Sequence, residues 1–354
     1  MIDKLVSKRA LVLEHYEAEP NIQGIALNKN EIPWSLNDKL KEALIEKVKT
    51  MEFNRYPDSS CTELKKAISG YTGISTDSIA IGNGSDELIN VLLQTFINPG
   101  DAIAVDNPTF SMYKIYGTVS GARILEYSLG SNFEMKLDEF ISCIQKEKPK
   151  IIFICNPNNP TGGRLELPEI EQILTKADGI VVIDEAYFEF SGVTALGFLS
   201  RYDNLIILRT FSKAFGLAGL RVGYMLANPS AVSYIDRVRS PFNVNAFAQA
   251  AAVEVLKNID TVTERIEIIK SERKRLTALL TEFEGLRCFE SWSNFILMRS
   301  PYAVEINKRL KEGGIYIRSY SNPIIKDCLR VTIGSPAEND KFYKIIKEVL
   351  YEGI

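Results

Sequence analysis

The sequence predicts an α/β protein with a large domain, built on a mainly parallel sheet between helices, and a smaller α+β domain. Two observations carry this. The short runs "AIAVD", "KIIFIC", "GIVVID" and "NLIILR" are continuously apolar rather than alternating, which suits strands buried on both faces. After Pro241 the pattern changes to long helical stretches followed by three strand-like runs, which marks a second unit.

In chain order, "ELKKAISGY" (63–71) and "ELINVLLQTF" (87–96) place apolar residues at i, i+3 or i+4, and i+7, and read as amphipathic helices. The four apolar runs follow between turn signals, as βα units require. Beyond Pro241, "AFAQAAAVEVLKN" and "RIEIIKSERKRLTALLTEF" read as helices, and "NFILMRS", "GIYIRSY" and "CLRVTIG" as strands. The expected division is residues 30–240 for the large domain, and 1–29 together with 241–354 for the small one.

Composition narrows the function. A net charge of -3 on 354 residues gives no basic field for nucleic acid or anionic lipid, so small-molecule chemistry is expected. Five scattered cysteines without a C-x-x-C pair argue against a disulfide framework and a zinc site, so no metal is expected. The charged N-terminus and the lack of a long apolar segment predict a cytoplasmic protein with no membrane contact. His15 is the only histidine, so acid and base work falls to Lys, Asp, Glu or Tyr.

Three predicted strands run off into Asn156, Asp184 and Lys213, at intervals of 28 and 29 residues, each one βα unit long. Taken singly they read as a turn cap, a helix cap and a solvated lysine. In a parallel sheet, however, they converge at the carboxyl edge, where ligands gather. An amine at a strand end, with no histidine available, suggests covalent catalysis through a Schiff base. Pyridoxal phosphate is the cofactor that pairs such a lysine with a carboxylate at its ring nitrogen, here Asp184.

Tyr187 and Asn156 are expected at the ring's phenolic oxygen. Gly82 and Gly84 permit close backbone approach to a phosphate, and Ser85 and Asp86 open a helix whose free N–H groups face that anion. Thr210 and Ser212 add hydroxyls, and Arg221 adds positive charge.

With these residues in view, the chain resembles the fold-type I pyridoxal phosphate enzymes of the class I/II aminotransferase group over nearly its whole length. "TFSKAFGLAGLR", "NPNNPTG" and "DEAY" match that group's motifs. Within it, "LNKNEIP", "NRYPD", "GNGSDELI", "NPTFSMY" and "LRVTIGSPAENDKF" are most similar to the histidinol-phosphate aminotransferases. The resemblance implies that Phe110 stacks on the cofactor ring and that Tyr56 reaches the phosphate of a neighbouring subunit in a homodimer. It also implies that Arg330, with Arg318 as companion, binds the substrate's acidic group, and that Tyr16 lines the substrate pocket. Ile32 stands where the group usually has asparagine.

The implied reaction is a ping-pong transamination with Lys213 as the covalent anchor, from histidinol phosphate as amino donor to 2-oxoglutarate. The rival readings are an aromatic amino acid aminotransferase, a threonine-phosphate decarboxylase, and a non-enzymatic cofactor-binding module. The last is disfavoured by the intact set Asn156, Asp184, Tyr187, Lys213 and Arg221, which exceeds what binding alone requires.

Overall fold

The computed structural model describes residues 2–13 and 23–352. Two sheets organise them. The larger comprises β2 (Ile79–Gly82), β3 (Ala102–Asn107), β4 (Arg123–Ser128), β5 (Ile151–Cys155), β6 (Ile180–Asp184), β7 (Leu205–Thr210) and β8 (Gly223–Ala227). The smaller joins β1 (Ile25–Leu27) to β9 (Arg287–Cys288), β10 (Phe295–Arg299), β11 (Ile315–Ser319) and β12 (Cys328–Thr332).

The large sheet has the order β2-β8-β7-β6-β5-β3-β4. From β4 to β7 every pairing is parallel, while β8 runs antiparallel to both its neighbours. The continuous apolar runs are explained by burial on both faces. Val105, Phe153, Val182 and Leu208 pack against Leu88, Ile89 and Leu92 of helix Gly84–Phe96. The intervening residues Ala104, Ile152, Ile154, Ile183 and Ile207 pack into the main core on the other face. Because β5, β6 and β7 run parallel, their carboxyl ends lie along one edge.

The strands carrying the site are also tied by a buried ion pair. Arg209 of β7 donates through Nε and Nη2 to Oε2 of Glu185 at 3.0 and 2.8 Å, and its guanidinium lies 3.6 Å over the Phe188 ring. Thr194 donates to the same carboxylate at 2.9 Å. A pair this deep offsets its desolvation only with its remaining hydrogen bonds made, and these are.

In the small sheet β1 pairs parallel with β11, and β11, β12, β10 and β9 pair antiparallel in turn. Helix Ala246–Lys257 is capped by Asn245, whose side chain accepts from the Ala248 N–H. Helix Ile259–Thr281 follows, then the strands, and helix Pro336–Glu352 closes the described chain. The five cysteines are all unpaired thiols. No helix among the described residues is long and apolar enough to cross a membrane.

Candidate active site

A cavity of about 860 Å³ opens where the carboxyl edge of the large sheet faces the small one. Asp184, Tyr187, Lys213 and Arg221 line it from the large sheet, and Arg318 and Arg330 from the small.

Lys213 is half-buried, with Nζ donating to the carbonyl of Lys29 at 2.8 Å. Poor solvation of the ammonium, helped by the nearby positive charge of Arg330, lowers its pKa to about 8. An amine that sheds its proton this close to neutrality is competent as nucleophile and as base.

Asp184 ends β6, paired with Cys155 of β5. It is buried, and burial raises its carboxyl to about 6, against the opposing hydrogen bonds from Tyr113 and the Ala186 N–H. Tyr113 Oη donates to Oδ2 at 2.6 Å, and the Ala186 N–H donates to Oδ1 at 3.1 Å. Tyr187, three residues on, is buried with its hydroxyl accepting from Asn30 Nδ2 at 3.0 Å.

The residues expected to cradle an anion meet at the start of helix Gly84–Phe96. Gly84 has φ +77°, and a Cβ there would meet Arg221 Nη2 at 2.6 Å, so only glycine lets the guanidinium approach the helix N-terminus. Arg221 Nη2 donates to Asp86 at 2.9 Å and Nη1 to Ser212 Oγ at 3.3 Å. Ser85 lines the same cavity. Thr210 is turned inward, accepting from the Ser212 N–H at 3.1 Å. Asp86 thus orients the arginine as well as opening the helix.

The opposite wall of the cavity is set by strand register. Arg318 of β11 is paired directly with Arg330 of β12, so both guanidinium groups project to one face. Arg330 is only 7% exposed. Its Nη1 donates to Asn159 Oδ1 at 2.5 Å and its Nη2 to the Asn28 carbonyl at 2.6 Å, while Nε is buried without a partner. Both arginines line the cavity, so two cationic forks meet any ligand held there.

Some expected residues lie elsewhere. Asn156 does not line this cavity. Its amide is engaged on both sides by Leu165, accepting from the N–H at 2.7 Å and donating to the carbonyl at 3.1 Å, and it borders a neighbouring cavity of about 360 Å³. Asn159 of the same "NPNNPTG" motif lines the main cavity in its place. Tyr56 is 82% exposed and stacks on Phe242 at 4.6 Å, away from the cavity of its own chain. Tyr16 and His15 lie outside the described residues. Phe110 lines the cavity, half-buried.

Gly216 lies three residues beyond Lys213, with φ +70°. A Cβ there would meet Ile32 at 2.7 Å, so the glycine makes space for the unusual residue of "LNKNEIP". Three functional neighbours were not foreseen. Asn159 hides among three asparagines of one motif, Asn30 has φ +55° and reaches Tyr187 from across the chain, and Tyr113 follows Phe110 by three residues, at the start of helix Met112–Ser120.

The donor set fits pyridoxal phosphate: a low-pKa amine, a buried carboxylate with room for one more donor, and a glycine-lined cationic cradle at a helix start.

Comparisons with known proteins agree. Residues 22–346 match the family model described as aminotransferase class I and II. Histidinol-phosphate aminotransferases from a Thermoanaerobacter species and from Caldanaerobacter subterraneus subsp. tengcongensis are 40% and 37% identical over 351 residues, 99% of this chain and 100% of theirs. The crystal structure of the Sinorhizobium meliloti histidinol-phosphate aminotransferase in complex with pyridoxal-5'-phosphate has the same fold. Its TM-score is 0.89 at 24% identity, over 98% of this chain and 97% of that one. Fold, site chemistry and family match converge, and the chain belongs to the class I and II aminotransferases, enzymes that depend on pyridoxal phosphate.

Proposed function

We propose that this protein transfers the amino group of histidinol phosphate to 2-oxoglutarate, in histidine biosynthesis. The observation that carries the substrate reading is the register pair Arg318 and Arg330, which line the cavity of Lys213 side by side. Two forks side by side suit a phosphomonoester in one half-reaction and a dicarboxylate in the other. Relatives named for this activity, at 37 and 40% identity over full length, support it.

Lys213 would anchor the cofactor, Asp184 would face its ring nitrogen, and Tyr187 with Asn159 would face its phenolic oxygen. Phe110 would cover a ring face, and Gly84, Ser85, Ser212 and Arg221 would take the phosphate, with Thr210 and Asp86 holding the last two. When bound, the cofactor supplies an electron sink for the charge left at the substrate's Cα. Lys213 Nζ then takes the Cα proton and returns it during transfer. Arg330 holds the acidic end of the substrate and also lowers the proton affinity of Lys213.

The reading extends to assembly. We place the division into cofactor and substrate domains near residues 30 and 240, because the large sheet is drawn from 79–227 and the small from 25–27 and 287–332. The exposed pair Tyr56 and Phe242, with Phe53 also exposed, supports a homodimer in which Tyr56 serves the neighbouring subunit.

The test is the absorbance of the cofactor-loaded protein. Adding L-histidinol phosphate without acceptor bleaches the yellow band, and 2-oxoglutarate restores it. A yellow protein unmoved by histidinol phosphate but bleached by phenylalanine would refute the substrate assignment.

The lysine makes a separate prediction. Capture of pyridoxal phosphate by the cofactor-free protein needs the neutral amine, and burial has lowered the amine's pKa to about 8. The capture rate therefore rises by about tenfold per pH unit below 8 and levels off above it, where an unperturbed lysine would go on rising past pH 10. Stopped-flow absorbance between pH 6 and 10 measures the midpoint.

A further inference from the structure

We propose that Tyr113 is a positioning residue of the reaction: it fixes Asp184 as the acceptor for the cofactor's ring nitrogen and keeps the proton on that nitrogen. The inference rests on the pyridoxal phosphate reading and adds to it a residue that does not itself touch cofactor or substrate.

Tyr113 lies in the first turn of helix Met112–Ser120 and has no exposed surface. Its ring stacks on Phe153 of β5, with centroids 4.7 Å apart and planes at 10°. Its edge meets Phe110 at 5.5 Å and 84°. The hydroxyl donates to Asp184 Oδ2 at 2.6 Å. One side chain therefore braces both Phe110, beside the cofactor ring, and Asp184, at its nitrogen.

The hydrogen bond has an electrostatic consequence. Asp184 is buried, so its charged form is disfavoured, and the negative charges of Asp86 and Glu185 push in the same direction. Against these stand two donors, Tyr113 and the Ala186 N–H, and the Cys155 thiol on the adjoining strand donates to the Pro157 carbonyl at 3.3 Å. Burial also keeps the Tyr113 phenol protonated, far above its ordinary pKa, so it acts as donor throughout the working pH range.

A carboxylate that accepts a strong hydrogen bond holds a proton less tightly. Shared between Asp184 and a ring nitrogen, the proton then stays on the nitrogen, which is the state with the greater pull on electrons. Without the hydroxyl the proton moves toward Asp184 and the ring becomes a weaker sink.

The experiment compares the parent, Tyr113→Phe and Phe153→Leu, each loaded with pyridoxal phosphate labelled with ¹⁵N in the ring. Tyr113→Phe is expected to move the ¹⁵N signal toward neutral pyridine and to slow the amino-donor half-reaction about 10- to 100-fold, with the donor's KM little changed. Phe153→Leu removes the stack but not the hydroxyl, so it lowers the melting temperature and leaves the signal in place. Should Tyr113→Phe fail to fold, 3-fluorotyrosine at position 113 keeps the shape with a more acidic phenol. It should lower the Asp184 midpoint, followed by the infrared carboxyl band of the cofactor-free protein.

An unmoved ¹⁵N signal in Tyr113→Phe, or an unmoved carboxyl midpoint with fluorotyrosine, overturns the proposal and leaves the cofactor reading standing. A parent that takes up no pyridoxal phosphate overturns that reading and the proposal with it.

Discussion

Lys213→Ala lowers turnover by at least about 10⁴-fold, because it removes in one change the proposed covalent anchor and the proposed base for the Cα proton. The fold survives. Lys213 makes one hydrogen bond, to the Lys29 carbonyl, and lines a cavity wide enough for water to replace it. Asp184, Arg221 and the helix N-terminus remain, so the variant still binds pyridoxal phosphate, now reversibly. The measurements are the steady-state rate, the melting temperature and cofactor release on dialysis. Added methylamine restores part of the proton transfer but not the anchoring, which separates the two roles. Normal turnover in the variant would refute the assignment of Lys213.

Arg330→Met lowers kcat/KM for the phosphate donor by about 10²- to 10³-fold, the scale expected for losing a desolvated charge pair with its hydrogen bonds. Methionine occupies much of the same volume, and the arginine's two hydrogen bonds are to the Asn159 side chain and the Asn28 carbonyl. The loss therefore falls on binding more than on folding. Both half-reactions suffer, since each substrate presents an acidic group to the same site. Arg330→Lys does not restore the rate, because a point charge cannot reproduce a fork that holds Asn159, the Asn28 carbonyl and a ligand together. Separate kcat and KM values for each half-reaction decide this, with the melting temperature as control. Loss confined to 2-oxoglutarate would show that the phosphate binds elsewhere.

The fold was legible because burial on both faces writes itself into composition: β3, β5, β6 and β7 each carry a run of at least four apolar residues, and the polar residues of β3, β6 and β7 come only at their carboxyl ends. The spacing of Asp184 and Lys213 was legible for the same reason, since each follows a strand of the same sheet. The asparagine was not. Strand-end logic selects Asn156, which is adjacent to β5, but the chain turns after Cys155 and spends that side chain on Leu165, delivering Asn159 to the cavity. Such a turn is decided by backbone direction over a few residues, which periodicity does not encode. Tyr113 and Asn30 were hidden differently. Each acts through a contact distant in sequence, 71 residues for Tyr113 with Asp184 and 157 for Asn30 with Tyr187, and residue type alone does not announce the partner.

Residues 28–30 deliver three successive contacts to three functional groups: the Asn28 carbonyl to Arg330, the Lys29 carbonyl to Lys213, and the Asn30 side chain to Tyr187. Asn30 is locked in turn, its N–H donating to Thr332 and its carbonyl accepting from Asn294. Two of the three contacts are made by backbone atoms, so changing the identity of residue 28 or 29 alters them little, whereas inserting or deleting one residue displaces all three together. In the history of such a chain this stretch would keep its length more strictly than its spelling.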